Sequence, residues 1–160
     1  MEIIPIHNKK SQEVKSFKEI REEAEKLRKF TNEGPFKGPN YESCYALHHA
    51  QVSEDPYNFF TVNEKIFEGK IPKTLGHWLI INPKITQWAE PVSWEEACMS
   101  FPFKKPKRTN RMDTITVEYR TPWLFGILIK RVRKLEGDMA FLLQHEVEHS
   151  VGVNIYDKKD

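Results

Sequence analysis

"LLQHEVEHSVGV", Leu142–Val153, is the stretch on which the reading of this chain turns. It contains His145-Glu146-x-x-His149. On a helix, positions four apart lie on one face, so His145 and His149 can hold one metal ion between their imidazole nitrogens. Glu146 lies beside that face, in reach of a metal-bound water, as the general base of a His-Glu-x-x-His site does. The flanks "MAFLL" and "VGV" are apolar, and the pattern predicts a buried helix over residues 136–152 that ends at Gly152. Two chance histidines on a surface helix would not need such flanks. A buried, unpaired glutamate beside them would be costly without a partner.

A metal site of this kind takes a third ligand. The residue six beyond His149, where one class of such sites has a further His, is Ile155, and the sequence is over at Asp160. The third ligand is therefore expected upstream, among Cys44, His48, His49, His77 and Cys98. Thiolate and imidazole together suit zinc or ferrous iron.

The rest of the sequence frames that helix. At 160 residues the chain has the length of one domain, read as 1–160, and enough of it to bury a core. A net charge of +2 is too balanced to imply nucleic-acid or membrane binding. No run of 18 apolar residues is present, and the N-terminus shows no signal-peptide pattern, so the expected location is cytoplasmic with no membrane partner. Two cysteines, Cys44 and Cys98, are poor grounds for a disulfide in that setting.

Residues 11–30 carry Val14, Phe17, Ile20, Ala24, Leu27 and Phe30 at steps of three and four, which predicts an amphipathic helix with Ser11 as its N-cap. "TNEGPFKGPNYES" (31–43) reads as a loop. Strands are predicted over 57–64, 76–85, 113–121 and 123–132, the last two joined as a hairpin, with 91–108 mostly irregular. His48 and His49 read as a helical pair, one solvated and one against the core, with a place in a substrate cleft as the sharper possibility. The basic runs "KKPKR" (104–108) and "KRVRK" (130–134) read as solvated, with ribosomal RNA as a possible contact.

Three motifs together carry a resemblance. "EEACMS" (95–100) resembles the E-G-C-L-S motif of peptide deformylases, and "QHEVEHSVG" (144–152) resembles their Q-H-E-x-D-H-x-x-G motif. "ALHHAQ" (46–51) stands where the family has G-L-A-A-x-Q, and "LIINPKI" resembles the strand that leads toward the cysteine motif. The order of the motifs and their separations agree. The resemblance implies an α+β, peptide deformylase-like fold with antiparallel sheets around a central His-Glu-x-x-His helix. It implies Cys98, His145 and His149 as metal ligands and Glu146 as the general base. Gln51 and the backbone N–H of Met99 would be donors to a developing oxyanion. Glu96 would orient a ligand from behind it, with Arg111 as its ion-pair partner.

The implied activity is metal-dependent hydrolysis of the N-formyl group from the initiator methionine of nascent polypeptides. Fe2+ is the implied native metal, with Zn2+ or Ni2+ able to occupy the site. The implied substrate is an N-formyl-methionyl peptide, acted on by a monomer, with the ribosome as a further contact. The departures are Ala97 for a glycine, Cys44 and Ala46 for glycines, His48 and His49 for alanines, and Glu148 for an aspartate. Ala97 excludes a left-handed backbone unless strain is accepted. Two rival readings stay open on sequence alone: another metal-dependent amide or peptide hydrolase, and a non-catalytic relative that binds metal or formyl-peptide.

Overall fold

The computed structural model describes residues 1–6, 8–36 and 44–158. Its elements in order are α1 (Phe17–Glu33), β1 (Ala46–His48), β2 (Phe59–Val62), α2 (Lys70–Leu75), β3 (Leu79–Glu96), β4 (Lys107–Pro122), β5 (Leu128–Glu136) and α3 (Asp138–Ser150). The five strands form one antiparallel sheet in sequence order, β1-β2-β3-β4-β5. This is the expected α+β architecture, with the antiparallel strands gathered in a single sheet among the described residues.

The inner strands are apolar on both faces, and strand periodicity divides their side chains between two cores. Phe60, Val62, Ile80, Ile115, Val117 and Tyr119 meet Ala140 and Leu143 of α3. Phe59, Leu79 and Ile81 turn the other way, onto Ile20, Ala24 and Leu27 of α1. The two helices thus cover opposite faces of the sheet. Gln144 fixes α3 against β4: its Oε1 accepts from the Met112 N–H at 2.9 Å and its Nε2 donates to the Met112 carbonyl at 2.8 Å.

Several sequence expectations are corrected. The first helix starts at Phe17 with Ser16 as its N-cap, rather than at Ser11. The segment before it is extended and pinned to three parts of the fold. Ser11 N donates to Ser150 O at 2.8 Å, Gln12 N to Pro56 O at 2.7 Å, and Val14 N to Asn82 Oδ1 at 3.0 Å. The helix also runs past Phe30 to Glu33, where Gly34 at φ 76° ends it by donating to Phe30 O. Residues 37–43 of the expected loop lie outside the described residues.

The stretch expected to be mostly irregular, 91–108, is so over 97–106, but its two ends are strand, because β3 continues to Glu96 and β4 begins at Lys107. Pro91 is accommodated because this part of β3 is a sheet edge, where a missing N–H goes unnoticed. The first expected strand shortens to Phe59–Val62, and the second begins at Leu79 after α2, a helix the sequence reading did not contain. The hairpin of β4 and β5 is present, but Trp123–Ile127 is its turn rather than strand, closed by Trp123 N to Ile127 O at 2.8 Å.

Candidate metal centre and cleft

α3 is preceded by its N-cap Gly137, whose φ of 56° lets the chain turn sharply out of β5, and the Phe141 N–H donates back to the Gly137 carbonyl at 3.0 Å. One turn apart on its buried face stand His145 and His149, with ring centroids 4.5 Å apart. The loop after β3 brings Cys98 up to them, its Sγ 3.5 Å from His149 Nε2. A Cys98 sulfur and one nitrogen from each histidine lie within 4.8 Å of one another.

Both imidazoles are held from behind. His149 Nδ1 is 3.0 Å from the Val153 carbonyl, and His145 Nδ1 is 2.7 Å from Glu96 Oε2. A carbonyl and a carboxylate only accept, so each Nδ1 donates and each Nε2 is the atom left for the cluster, the arrangement in which a neutral histidine binds a metal. Glu96 is in turn locked by Arg111, whose Nη2 and Nε lie 2.6 and 2.9 Å from Glu96 Oε1, and by the Thr109 hydroxyl. Arg111 Nη1 also reaches Glu148 Oε1 at 2.7 Å, and Lys158 pairs with the same carboxylate. Burial alone would raise the Glu96 pKa. The hydrogen bond and charge of His145, with Arg111 and Thr109, outweigh burial and hold the carboxyl at about 2. The expected Glu96–Arg111 ion pair is therefore present and buried.

Glu146 sits beside the cluster with 2% of its surface exposed, and its Oε2 has no hydrogen-bond partner among the described residues. Burial pushes its pKa up to about 7. Gln51 Oε1 accepts from the His48 N–H at 2.9 Å, which aims its amide nitrogen at Cys98 Sγ, 3.9 Å away. One soft sulfur, two imidazole Nε2 atoms and a buried orphan carboxylate oxygen together fit a small divalent cation and an attached water.

This cluster forms the floor of a cleft of about 480 Å³. Met99, Ala97 and Ala46 line it, as do four aromatic residues absent from the sequence reading: Tyr45, Phe67, Trp94 and Phe141. They form two pairs, Tyr45 stacked on Phe67 at 5.6 Å and Trp94 against Phe141 at 4.5 Å. The β-prone residues Trp88, Val92 and Trp94 were the available signal for the strand that carries Trp94 into this wall, obscured by Pro91.

The other candidate ligands lie elsewhere. Cys44 is a buried core residue whose thiol meets the Ala46 carbonyl at 3.4 Å. His77 Nδ1 accepts from the Leu79 N–H at 3.0 Å. His48 and His49 are not a helical pair with one solvated member, and neither lines the cleft. His48 closes β1 and takes the Ala50 N–H on its Nδ1 at 3.0 Å. His49 takes the Tyr57 N–H at 3.0 Å and stacks on Phe59. Burial lowers their pKa values to about 3 and about 4. Ala97 takes no left-handed conformation, so its methyl causes no backbone strain. The basic runs are partly engaged within the fold: Lys130 pairs with Glu118, Lys134 with Glu136, and Lys104 sits over the Phe101 and Tyr156 rings.

A model of the polypeptide deformylase family matches residues 4–160. The chain belongs to this family. Among curated peptide deformylases, that of Helicobacter hepaticus is 34% identical over 79 residues, 49% of this chain and 41% of that protein. The Thermus thermophilus enzyme is 33% identical over 81 residues, 51% of this chain and 40% of that protein. The match thus spans about two fifths of the length of these curated relatives. Solved structures align along the whole fold. The Thermotoga maritima peptide deformylase superposes with a TM-score of 0.72 at 25% identity, covering 99% of this chain and 97% of that one. A probable peptide deformylase from Synechococcus phage S-SSM7 gives 0.73 at 25% identity, with 98% of each chain covered.

Proposed function

We propose that this deformylase-family chain is an enzyme that hydrolyses the N-formyl group from the initiator methionine of nascent polypeptides, releasing formate and a free amine. The observation that carries this reading is the buried cluster of Cys98, His145 and His149 with the Glu146 carboxylate beside it, its Oε2 without a partner among the described residues, at the floor of an apolar cleft. Cys98 as thiolate and the Nε2 atoms of His145 and His149 would hold one divalent cation. Fe2+ is the proposed native ion, and Zn2+ or Ni2+ suits the same donors. Bound there, the ion supplies Lewis acidity toward water and the formyl oxygen.

The protein's own groups do the rest. Glu146 Oε2 accepts the proton of the attacking water and later delivers it to the leaving amine. Gln51 Nε2 and the Met99 backbone N–H donate to the oxygen on which charge develops. Glu96 and Arg111 keep the His145 ring fixed, so no reorientation is needed at the moment of reaction. The apolar walls exclude competing water and receive the methionine side chain. The protein works as a cytoplasmic monomer. No described helix is long and apolar enough to cross a membrane. Chelation and reloading test the reading: activity on a formyl-methionyl peptide should vanish with the metal and return with Fe2+. An acetylated or unblocked control peptide should stay intact throughout. Cleavage of the unblocked peptide at internal bonds would identify a different amide hydrolase.

A further inference from the structure

The turn between β4 and β5 holds four large apolar side chains in solvent. Trp123, Leu124 and Ile127 are 58%, 64% and 59% exposed, and Phe125 is 101% exposed. The turn is well bonded. Trp123 N–H donates to Ile127 O at 2.8 Å, Gly126 N–H to Trp123 O at 3.0 Å, and Ile127 N–H to Leu124 O at 3.3 Å. Within it Phe125 has a φ of 59°, a left-handed conformation that bulky residues rarely take and that Asn or Gly takes with less strain. No described residue covers Phe125, so packing does not repay that strain. Strain kept at an exposed apolar tip points to a contact surface.

Cations surround the tip on both faces of the hairpin. Residues opposed in register share a face. Arg120 and Lys130 are paired beside Ile81, on the α1 side. Arg131 and Arg133 lie opposite Tyr119 and Val117, on the α3 side. From Glu118 to Arg133 the sequence carries these four cations and one anion, Glu118, an excess that the small net charge of the chain conceals. Arg120 and Lys130 stand three residues from Trp123 and Ile127. At a rise of about 3.3 Å per residue the cations lie about 10 Å behind the tip.

We propose that this tip inserts into the surface of an anionic phospholipid bilayer, with Leu124 and Phe125 at the acyl-chain boundary and the cations on the lipid phosphates. Depth and charge select this occupant. Interfacial apolar groups sink about 5–10 Å into a bilayer, close to the distance between tip and cations. Trp123, nearer the strands, stands where tryptophan favours the headgroup level. Cations on both faces suit a medium that surrounds the tip, whereas a flat protein partner meets one face. Leu124 and Ile127 have no ring to stack on a base, which disfavours RNA. A short tip alone anchors weakly, so the apolar and cationic contacts act together. The expectation of no membrane partner came from net charge and from the absence of a long apolar run, neither of which registers a single turn. The inference goes beyond the deformylase reading and does not depend on it. No tip residue lines the cleft, and the tip lies at the opposite end of β4 from Thr109 and Arg111.

The test is co-sedimentation of the whole protein with vesicles of mixed phosphatidylglycerol and phosphatidylcholine, against phosphatidylcholine alone. The protein should pellet with the anionic vesicles at least about tenfold better, and added salt should weaken this. Phe125→Asn should lower the partition coefficient about tenfold, the worth of one buried aromatic side chain. It should leave Tm at or above the parent value and leave turnover of a soluble formyl peptide unchanged. Arg120→Gln should lower anionic binding about fivefold. Lipids brominated in the acyl chains should quench tryptophan fluorescence in the parent, and Trp123→Phe should remove that quenching. Absence of pelleting with anionic vesicles would overturn the proposal, as would equal pelleting with both kinds. So would binding that survives Phe125→Asn undiminished, or quenching that survives Trp123→Phe. A dimer that Phe125→Asn dissociates would assign the tip to a second copy. Retention of single-stranded RNA that Phe125→Asn abolishes, by a protein that ignores vesicles, would assign it to nucleic acid. Either result would overturn the lipid assignment.

Discussion

Arg111→Met should be among the most damaging single changes in this fold. Arg111 is 1% exposed and its guanidinium is shared between Glu96 and Glu148. Methionine fills much of the same volume but leaves the Glu96 carboxylate, 8% exposed, without its counter-charge. Removing one partner of a buried ion pair costs about 3–5 kcal/mol, because the other charge stays desolvated. Two features place this case near the lower end. Glu96 keeps the Thr109 hydroxyl and His145, and Glu148, 25% exposed, keeps Lys158. A loss of about 3 kcal/mol is expected, or about 6–12 °C in Tm for a chain of this length. Urea unfolding of the chelated proteins reads it without a contribution from metal binding. Arg111→Lys should recover only part, since an ammonium cannot fork across both carboxylates. Combining Arg111→Met with Glu96→Gln should cost at least about 1 kcal/mol less than the sum of the two single changes. An Arg111→Met protein within about 1 kcal/mol of the parent, or strict additivity in the double variant, would refute the argument that a buried charge network holds His145.

Cys98→Ala should lose tight metal binding while Cys44→Ala keeps it; equal metal content in the two variants would remove Cys98 from the site. Glu146→Gln should retain metal and fold but lose about 10²–10⁴ in kcat, the usual worth of a general base. Parent-level turnover by that variant would disprove the role. His48 and His49 stay neutral in the fold, with pKa values of about 3 and about 4 against 6.5. The unfolded chain takes up protons below pH 6.5 that the folded chain refuses, so stability is full above that pH and falls as pH drops toward 4. Each histidine costs about 1 kcal/mol one unit below its unfolded pKa. His49→Gln should accordingly flatten the acid slope of the chelated protein by about that amount, and an unchanged slope would contradict the burial argument.

The His145–His149 helix was legible because its spacing and apolar flanks point to the same face, and the hairpin after Asp113 because its alternation is strong. The altered first motif misled. Two adjacent histidines look like functional groups, but His48 and His49 here accept backbone N–H bonds in the core, a role that no local pattern announces. The true start of α1 was hidden because Val14 keeps the helical period while its backbone bonds to Asn82, a contact 68 residues away. β3 looked interrupted because Pro91 normally ends a strand, and only the sheet order shows that it lies on an open edge. The cleft's aromatic walls join residues from four separate elements or turns, so their pairing depended on tertiary structure alone.

The most direct measurement is formate release from formyl-Met-Ala-Ser by anaerobically purified, Fe2+-loaded protein, with the new amine counted in parallel. Formate and amine should appear in equal amounts, catalytically, in the parent and not in Cys98→Ala. Tight metal binding at Cys98, His145 and His149 with no formate beyond the uncatalysed rate would contradict the account and leave a metal-binding relative without the activity.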